Sequence, residues 1–202
     1  MISKNMTENS NLTEITHFIS YIDQLKNVIR KNGLHDGSRE ENTAEHSWHA
    51  ALSAQLLAPY ANFPVDVAKV TRMLLIHDLI EIEAGDTFVY DPDAMAEQES
   101  AEIKAADHVF GLLPNEQEEK FRSLWDEFEA RKTHEAKFAK AIDRFLPIFS
   151  NIQNGGFSWL PHRVSQAQVR ELVSIIYDGS TQLGEQVDAL LDEAVKQGAL
   201  LP

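Results

Sequence analysis

Apolar residues recur every three or four positions along most of this chain, which is the spacing of amphipathic helices. The first such run follows Asn11, a residue suited to cap a helix, and it stops near Gly33. Its apolar positions are Ile15, Phe18, Ile19, Ile22, Leu25, Val28 and Ile29. The pattern therefore predicts a first helix from about residue 13, with Arg30 close to its end and a loop over 33–42.

The rest of the chain divides into further helical segments, separated by residues that commonly begin or end helices. A second predicted helix covers Thr43 to about Leu57, and a third begins at Pro64, is apolar almost all round and ends by Gly85. Five more are predicted over about 94–111, 114–131, 134–152, 162–177 and 181–197. No convincing alternating strand pattern and no repeat is present. The prediction is an all-α protein, with a flexible leader over 1–12 and a single domain over 13–202.

The composition is that of a folded globular protein with an acidic surface. Of the 202 residues, 43% are hydrophobic and 25% are charged, and the formal net charge is −14. Such a charge disfavours nucleic-acid polymers and anionic membranes as partners, whereas a small phosphate compound is compatible if a metal or arginines reverse the local field. The chain has no cysteine, which excludes disulfides and thiolate catalysis.

Neither a secretory signal nor a membrane span is expected from the sequence. The first residues, MISKNMTENSNLTE, are polar and lack the apolar core of a signal peptide. No apolar stretch approaches the roughly 18 residues that a membrane-spanning helix needs. We therefore expect a cytoplasmic protein.

A histidine and an aspartate stand side by side in the apolar run LLIHDLIEIEAGD, residues 74–86. A buried carboxylate is costly unless a cation meets it, and imidazole with carboxylate suits a divalent metal at His77 and Asp78. His46 and Asp143 interrupt two other apolar helices and could complete a bundle-core site. Taken one at a time, these residues could instead be satisfied core residues or a surface pair such as Asp143 with its neighbour Arg144. Three unrelated polar residues inside apolar helices would be a coincidence, so a shared metal site is the simpler interpretation.

The order of these residues, H…HD…D, resembles the signature of the HD-domain metal-dependent phosphohydrolases. The segments EENTAEHSWHAAL, HDLIEIEAGD and EAKFAKAIDRF are similar to those of the 5'-deoxynucleotidase branch, and the resemblance covers roughly residues 13–180. It implies a single-domain HD-fold helical bundle that holds one divalent metal. The implied ligands are His46, His77, Asp78 and Asp143. Mn, Co, Fe, Ni, Zn and Mg are all compatible with such ligands.

The resemblance also implies catalytic roles for Asp78 and Glu81. On a continuous helix, Glu81 would share a face with His77 and Asp78, because it follows them by four and three positions. A carboxyl group there could orient the attacking water or protonate the leaving alkoxide. Alternatively, Glu81 could hold a ligand histidine in place.

Three further residues are predicted to bind substrate. Arg30 matches an arginine that binds phosphate in similar proteins, and Arg39 is a second candidate. Asp86 resembles the residue that meets the sugar 3'-hydroxyl, where an acceptor would also crowd a 2'-hydroxyl and so could favour deoxyribose over ribose. Alternatively, or in addition, Asp86 could cap the turn after Gly85. Lys31 stands where the bacterial nucleotidases carry a tryptophan, which leaves base and sugar preference open.

The sequence therefore supports three functional hypotheses. The first is a metal-dependent phosphomonoesterase that hydrolyses deoxynucleoside 5'-monophosphates to deoxynucleosides and phosphate. The second is an HD phosphohydrolase for another small phosphorylated metabolite. The third is a non-catalytic helical module that its metal stabilises. Similar proteins often form homodimers, and a homodimer is expected here.

Overall fold

The computed structural model describes the backbone of residues 2–202 and the side chains of residues 10–91 and 98–202. The fold is all-α apart from one small sheet, which confirms the predicted class. Two short 3-10 helices cover Asp23–Asn27 and Ala58–Tyr60. The remaining elements are α1 (Ile2–Ile22), β1 (Ile29–Gly33), β2 (Glu40–Asn42), α2 (Thr43–Leu57), α3 (Val67–Ile76), α4 (Glu81–Ala84), α5 (Pro92–Phe110), α6 (Asn115–Ala130), α7 (His134–Gln153), α8 (Gln166–Gly179) and α9 (Thr181–Lys196).

The first predicted helix is wrong at both ends. Helix α1 begins at Ile2 rather than after Asn11, so the predicted boundary at residue 12 falls inside it. The division into a leader and a domain stays a prediction, and the side chains of residues 1–9 lie outside the described part of the chain. At its other end, α1 stops at Ile22, well before Gly33.

A two-stranded antiparallel sheet follows α1 where a helix end and a loop were predicted. Ile29 of β1 lies opposite Asn42 of β2, and Gly33 lies opposite Glu40. Arg30 therefore lies on a strand, with its side chain on the buried side. A search for alternating hydrophobic residues does not find this strand, because its buried residue Arg30 is charged. Ion pairs, and not apolar contacts, hold Arg30 in the interior.

The third predicted helix is interrupted at the histidine–aspartate pair. Helix α3 ends at Ile76, residues 77–80 form a turn, and α4 begins at Glu81. Within the turn, the Leu79 N–H donates to the Ile76 carbonyl at 3.1 Å, and the Glu81 N–H donates to the Asp78 carbonyl at 3.0 Å. The argument from one continuous helix face is thus wrong, but these tight turns still keep Asp78 and Glu81 close together.

Helix α7 lies at the centre of the main hydrophobic core. It packs against α2, α3, α6, α8 and α9, and most of its length is buried. A second apolar cluster joins α1, the end of α3, α5 and α6, and it includes Phe18, Phe110 and Trp125. A polar residue on α7 that faces α2 and α3 is therefore enclosed on several sides by other helices.

The surface carries an exposed apolar stripe on α2. Trp48, Leu52 and Leu56 lie one turn apart and are 62%, 47% and 70% exposed. Such a stripe is compatible with the expected homodimer, which stays a prediction. Among the described residues, no helix combines the length and the apolar character that crossing a membrane would require.

Gly179, at the end of α8, provides a test of the packing between α7 and α8. A Cβ atom there would lie 2.5 Å from the Lys137 carbonyl oxygen and 2.6 Å from the Ala141 Cβ. We expect Gly179→Ala to lower the free energy of unfolding by about 1–3 kcal/mol, because the two helices would have to separate. Urea unfolding followed by circular dichroism measures the change. Gln182→Ala, on the exposed side of α9, should change it by less than about 0.5 kcal/mol. Equal stability of Gly179→Ala and the parent would contradict the close packing.

Candidate active site

Three separate elements bring the predicted metal ligands together. Helix α2 begins with a capping box, in which the Asn42 side chain accepts from the Glu45 N–H at 3.0 Å and Glu45 accepts from the Asn42 N–H at 3.2 Å. This cap fixes the start of α2 and places His46 in its first turns. The turn after α3 presents His77 and Asp78. Helix α7, buried along most of its length, presents Asp143.

The four predicted ligands meet in the core, with Asp143 between the two histidines. The His46 Nε2 atom lies 3.1 Å from the Asp143 Oδ1 atom, and the His77 Nε2 atom lies 3.4 Å from the same oxygen. One ligand atom from each of these three residues lies within 4.8 Å of the others, a spacing that can hold a metal ion. Asp78 lies at the edge of the group, with Oδ1 3.1 Å from His77 Nε2 and Oδ2 4.0 Å from His46 Nε2.

The hydrogen bonding of His77 fits a metal ligand. Its Nδ1 atom lies 2.8 Å from the Leu74 carbonyl oxygen, which can only accept, so Nδ1 carries a proton. The opposite nitrogen, Nε2, is buried and has no hydrogen-bond partner among the described residues. It faces the carboxylates of Asp78 and Asp143, so in the neutral ring its lone pair would point at negative charge. A cation between these atoms would remove the conflict, and this arrangement is typical of metal-binding histidines.

The electrostatics of the cluster also favour positive charge. Burial opposes a charged imidazole, yet Asp78 and Asp143 raise the pKa of His77 to about 10. Burial likewise opposes ionised carboxylates, but His77 and Arg30 keep the pKa of Asp78 below its usual range. The cluster therefore favours a positive charge at this place, which a bound divalent ion would supply.

Arg30 is surrounded by carboxylates. Its Nη1 atom lies 2.9 Å from Asp78 Oδ2, 3.4 Å from Asp86 Oδ1 and 3.6 Å from Glu81 Oε1. Its Nε atom lies 3.9 Å from Glu41 Oε2. The residue is only 6% exposed, so these acids are its environment in the folded protein. The structure thus places Arg30 and Asp86 in the site, but Arg30 already serves as a counter-ion.

Arg39 lies outside this cluster. Its guanidinium forms a two-pronged ion pair with Glu45, at 2.7 and 2.9 Å, and its side chain is 53% exposed. It does not line the cavity beside the metal-binding group. Arg39 precedes the EEN segment in the sequence and lies near the start of α2, where Glu45 neutralises its charge. The geometry gives no support to the predicted phosphate-binding role of Arg39.

Glu81 is buried beside the cluster. The Thr43 hydroxyl donates to its Oε2 atom at 2.9 Å, and Arg30 approaches its Oε1 atom. Burial and the neighbouring Asp78 raise the pKa of Glu81 well above its ordinary value, although Arg30 opposes this shift. The site therefore favours the protonated form of this carboxyl group more than water does, which suits a general acid.

Three supporting residues were not predicted. Glu41 lies with Oε2 3.6 Å from the His46 Nδ1 atom, Thr43 holds Glu81, and the Lys140 Nζ atom lies 3.3 Å from Asp143 Oδ2. All three are buried, and each contacts a predicted site residue. Glu41 and Thr43 fall inside the segment EENTAEHS, and Lys140 stands three positions before Asp143. A search for polar residues adjacent to the ligand positions could have found them.

A cavity of about 570 Å³ opens beside the metal-binding group. Its lining includes His77, Asp78, Glu81, Asp86 and Asp143. Glu99, Glu102, Asp126 and Glu129 add further acidic side chains to its lining. The volume falls within the range of about 300–1,000 Å³ that is common for small-molecule sites. A negatively charged ligand would need bound cations to enter it.

Comparison with known proteins agrees with this geometry. A family model described as HD domain matches residues 22–183, which include every candidate site residue. A crystal structure of a "predicted metal-dependent phosphohydrolase" from Magnetospirillum magnetotacticum is 48% identical, with a TM-score of 0.91, over 96% of this chain and 97% of that one. This chain therefore belongs to the HD-domain family, and its predicted resemblance to the metal-dependent phosphohydrolases is confirmed.

More distant relatives extend the comparison. A 5'-deoxynucleotidase HDDC2 from Xenopus laevis is 26% identical over 176 residues, which cover 81% of this chain and 86% of that protein. An HD-domain phosphohydrolase from Listeria innocua is 18% identical, with a TM-score of 0.67 over 92% of each chain. At that identity, the Listeria structure supports the fold alone.

The metal-binding geometry predicts the effect of removing Asp143. We expect Asp143→Ala to reduce bound Mn at least about tenfold, because the oxygen shared by His46 and His77 is lost. Metal analysis after equilibration with Mn and gel filtration measures the content, and circular dichroism checks the fold. The control His134→Ala removes an exposed histidine on the same helix and should keep the parental metal content. Full metal content in folded Asp143→Ala would contradict this ligand set.

Proposed function

We propose that this chain is a metal-dependent phosphomonoesterase that hydrolyses deoxynucleoside 5'-monophosphates to deoxynucleosides and phosphate. The observation that carries the proposal is the convergence of His46, His77 and Asp143, with Asp78 beside them, next to a cavity that Glu81 and Asp86 line. The relatives named 5'-deoxynucleotidase support the choice of substrate.

His46, His77, Asp78 and Asp143 would hold one divalent ion. Such an ion supplies charge that stabilises the phosphoryl group as it reacts, and it acidifies a water molecule. The protein side chains fix the geometry. Glu41 lies beside the outer nitrogen of His46, and the Leu74 carbonyl fixes the ring of His77. Held in this way, the two imidazoles would need little reorganisation when the metal ion binds.

In the proposed reaction, Glu81 supplies the proton to the leaving group. A water oxygen forms a bond to phosphorus in line with the sugar 5' oxygen, whose bond to phosphorus breaks. The departing alkoxide takes a proton from the Glu81 carboxyl group, and the phosphate keeps both protons of the water, so the first products are an alcohol and dihydrogen phosphate. Transfer of one of those protons back to Glu81 restores the carboxyl group and leaves monohydrogen phosphate. The Thr43 hydroxyl, which donates to Oε2 at 2.9 Å, holds the carboxyl group in place.

Asp86 would meet the sugar. It lines the same cavity as Glu81, and its Oδ1 atom lies 3.4 Å from the Arg30 Nη1 atom, which fixes its position. A carboxylate there can accept a hydrogen bond from a 3'-hydroxyl. Ribose and deoxyribose both carry that hydroxyl, so this hydrogen bond would favour 5'-monophosphates over 3'-monophosphates, whereas the preference for deoxyribose would come from crowding of a 2'-hydroxyl beside Asp86.

A phosphate-release screen tests the proposed substrate class. The common deoxynucleoside and nucleoside 5'-monophosphates and the corresponding 3'-monophosphates would be assayed with Mn, Co and Mg in turn. We expect release from deoxynucleoside 5'-monophosphates at least about tenfold faster than from the ribonucleotides and from 3'-phosphates. Turnover of another phosphorylated metabolite alone would replace this proposal with the second hypothesis. No phosphate release at all from a metal-loaded protein would favour the non-catalytic module.

Glu81 and Glu83 form a matched pair for testing the proton donor. Glu81 is buried in the site, whereas Glu83 is exposed and contacts Tyr21. We expect Glu81→Gln to lower kcat at least about a hundredfold while bound metal stays at the parental level, because the amide cannot donate an acidic proton. Glu83→Gln should stay within about twofold. If Glu81→Gln turned over as the parent does, Glu81 would not be the acid.

A further inference from the structure

Arg144 follows Asp143 directly on α7 and is half-buried. It lines the cavity of about 570 Å³ beside the metal-binding group. It also lines a smaller cavity of about 40 Å³ that contains Tyr90 and Trp159. Neighbouring side chains on a helix point about 100° apart. Arg144 therefore reaches the wall of the cavity beside the cluster, where a substrate of the proposed reaction would lie.

The other cations along the large cavity differ from Arg144 in their surroundings. Arg30 is enclosed by carboxylates, and the Lys140 Nζ atom lies 3.3 Å from Asp143 and 3.5 Å from Glu129. Arg131 is exposed to solvent. The charges of Arg30 and Lys140 are thus largely neutralised by acidic neighbours within the protein.

Arg144 has no such partner in the part of the chain whose side chains are described. No carboxylate there lies within ion-pair distance of its guanidinium, and no hydrogen bond joins it to another residue. Its Nε atom is buried and lacks an acceptor. A buried donor without an acceptor costs free energy, and a partly enclosed guanidinium has lost some of its hydration. A bound anion would compensate both costs.

We propose that Arg144 binds the phosphate group of the substrate, while Arg30 holds Asp78, Glu81 and Asp86 in position. The inference rests on the proposed function and adds to it the residue that holds the reacting group. A planar guanidinium can donate two parallel hydrogen bonds to two phosphate oxygens, which a lysine cannot do. It also supplies positive charge in a cavity where acidic side chains outnumber the arginines and lysines.

Binding of inorganic phosphate tests this assignment without any turnover. Isothermal titration of the Mn-loaded protein with phosphate would compare the parent with Arg144→Ala, Arg144→Lys and Arg131→Ala. We expect Arg144→Ala to weaken binding at least about tenfold and Arg144→Lys to fall between it and the parent. Arg131→Ala removes the same charge from the exposed rim and should stay within about twofold. Metal content and melting temperature should match the parent for all variants.

Steady-state kinetics provide the second measurement, with whichever monophosphate the parent hydrolyses. Arg144→Ala should raise KM at least about tenfold, and Arg144→Lys should recover part of that loss. A merely structural role would lower the melting temperature or the metal content and leave KM unchanged. If the parent hydrolyses no phosphate ester, the proposed function fails, and the titration still tests Arg144 as an anion-binding residue. Parental phosphate affinity and parental KM in folded Arg144→Ala would overturn the assignment.

Discussion

The site depends on the burial of several carboxylates in a helical core and on the cations that make this burial possible. An ionised carboxylate buried without a partner costs several kcal/mol. Arg30 lies within 3.6 Å of Asp78, Glu81 and Asp86, and so offsets much of that cost before any ligand binds. Asp143 faces His46 and His77 with one oxygen, and its other oxygen lies 3.3 Å from the Lys140 Nζ atom. Arg30, Lys140 and a bound metal ion would therefore balance the buried carboxylates together.

The fold serves this task by enclosing the charges with well-anchored elements. Helix α7 lies in the middle of the core and carries Asp143, so this ligand cannot move without disturbing the surrounding helices. The capped start of α2 holds His46. From α6, the Trp125 indole N–H donates to the His77 carbonyl, with a donor–acceptor distance of 3.1 Å. The small sheet places Arg30 among the carboxylates and Glu41 beside His46. Rigid support of this kind keeps the ligands in geometry suited to an ion.

Sequence patterns predicted the parts of the site that interrupt an apolar helix. His46, His77 and Asp143 are conspicuous because polar residues in such helices need a reason. The strand that carries Arg30 could not be predicted from the sequence. Its buried residue is charged and pairs with acids, so the strand shows no hydrophobic alternation. Arg39 was predicted to bind substrate because it precedes a segment shared with the family, but it forms an ion pair with Glu45 at the surface. For Arg144, the sequence suggests only a surface pair with Asp143. The direction in which a side chain leaves a helix depends on tertiary packing, which the sequence pattern does not show.

The central claim is that one divalent ion joins residues from α2, from the turn after α3 and from α7. Anomalous diffraction from a crystal grown with saturating Mn tests it most directly. The account predicts one strong anomalous peak within coordination distance of the Nε2 atoms of His46 and His77 and of carboxylate oxygens of Asp78 and Asp143. A Mn peak elsewhere, with these four side chains still in mutual contact and no ion among them, would contradict it.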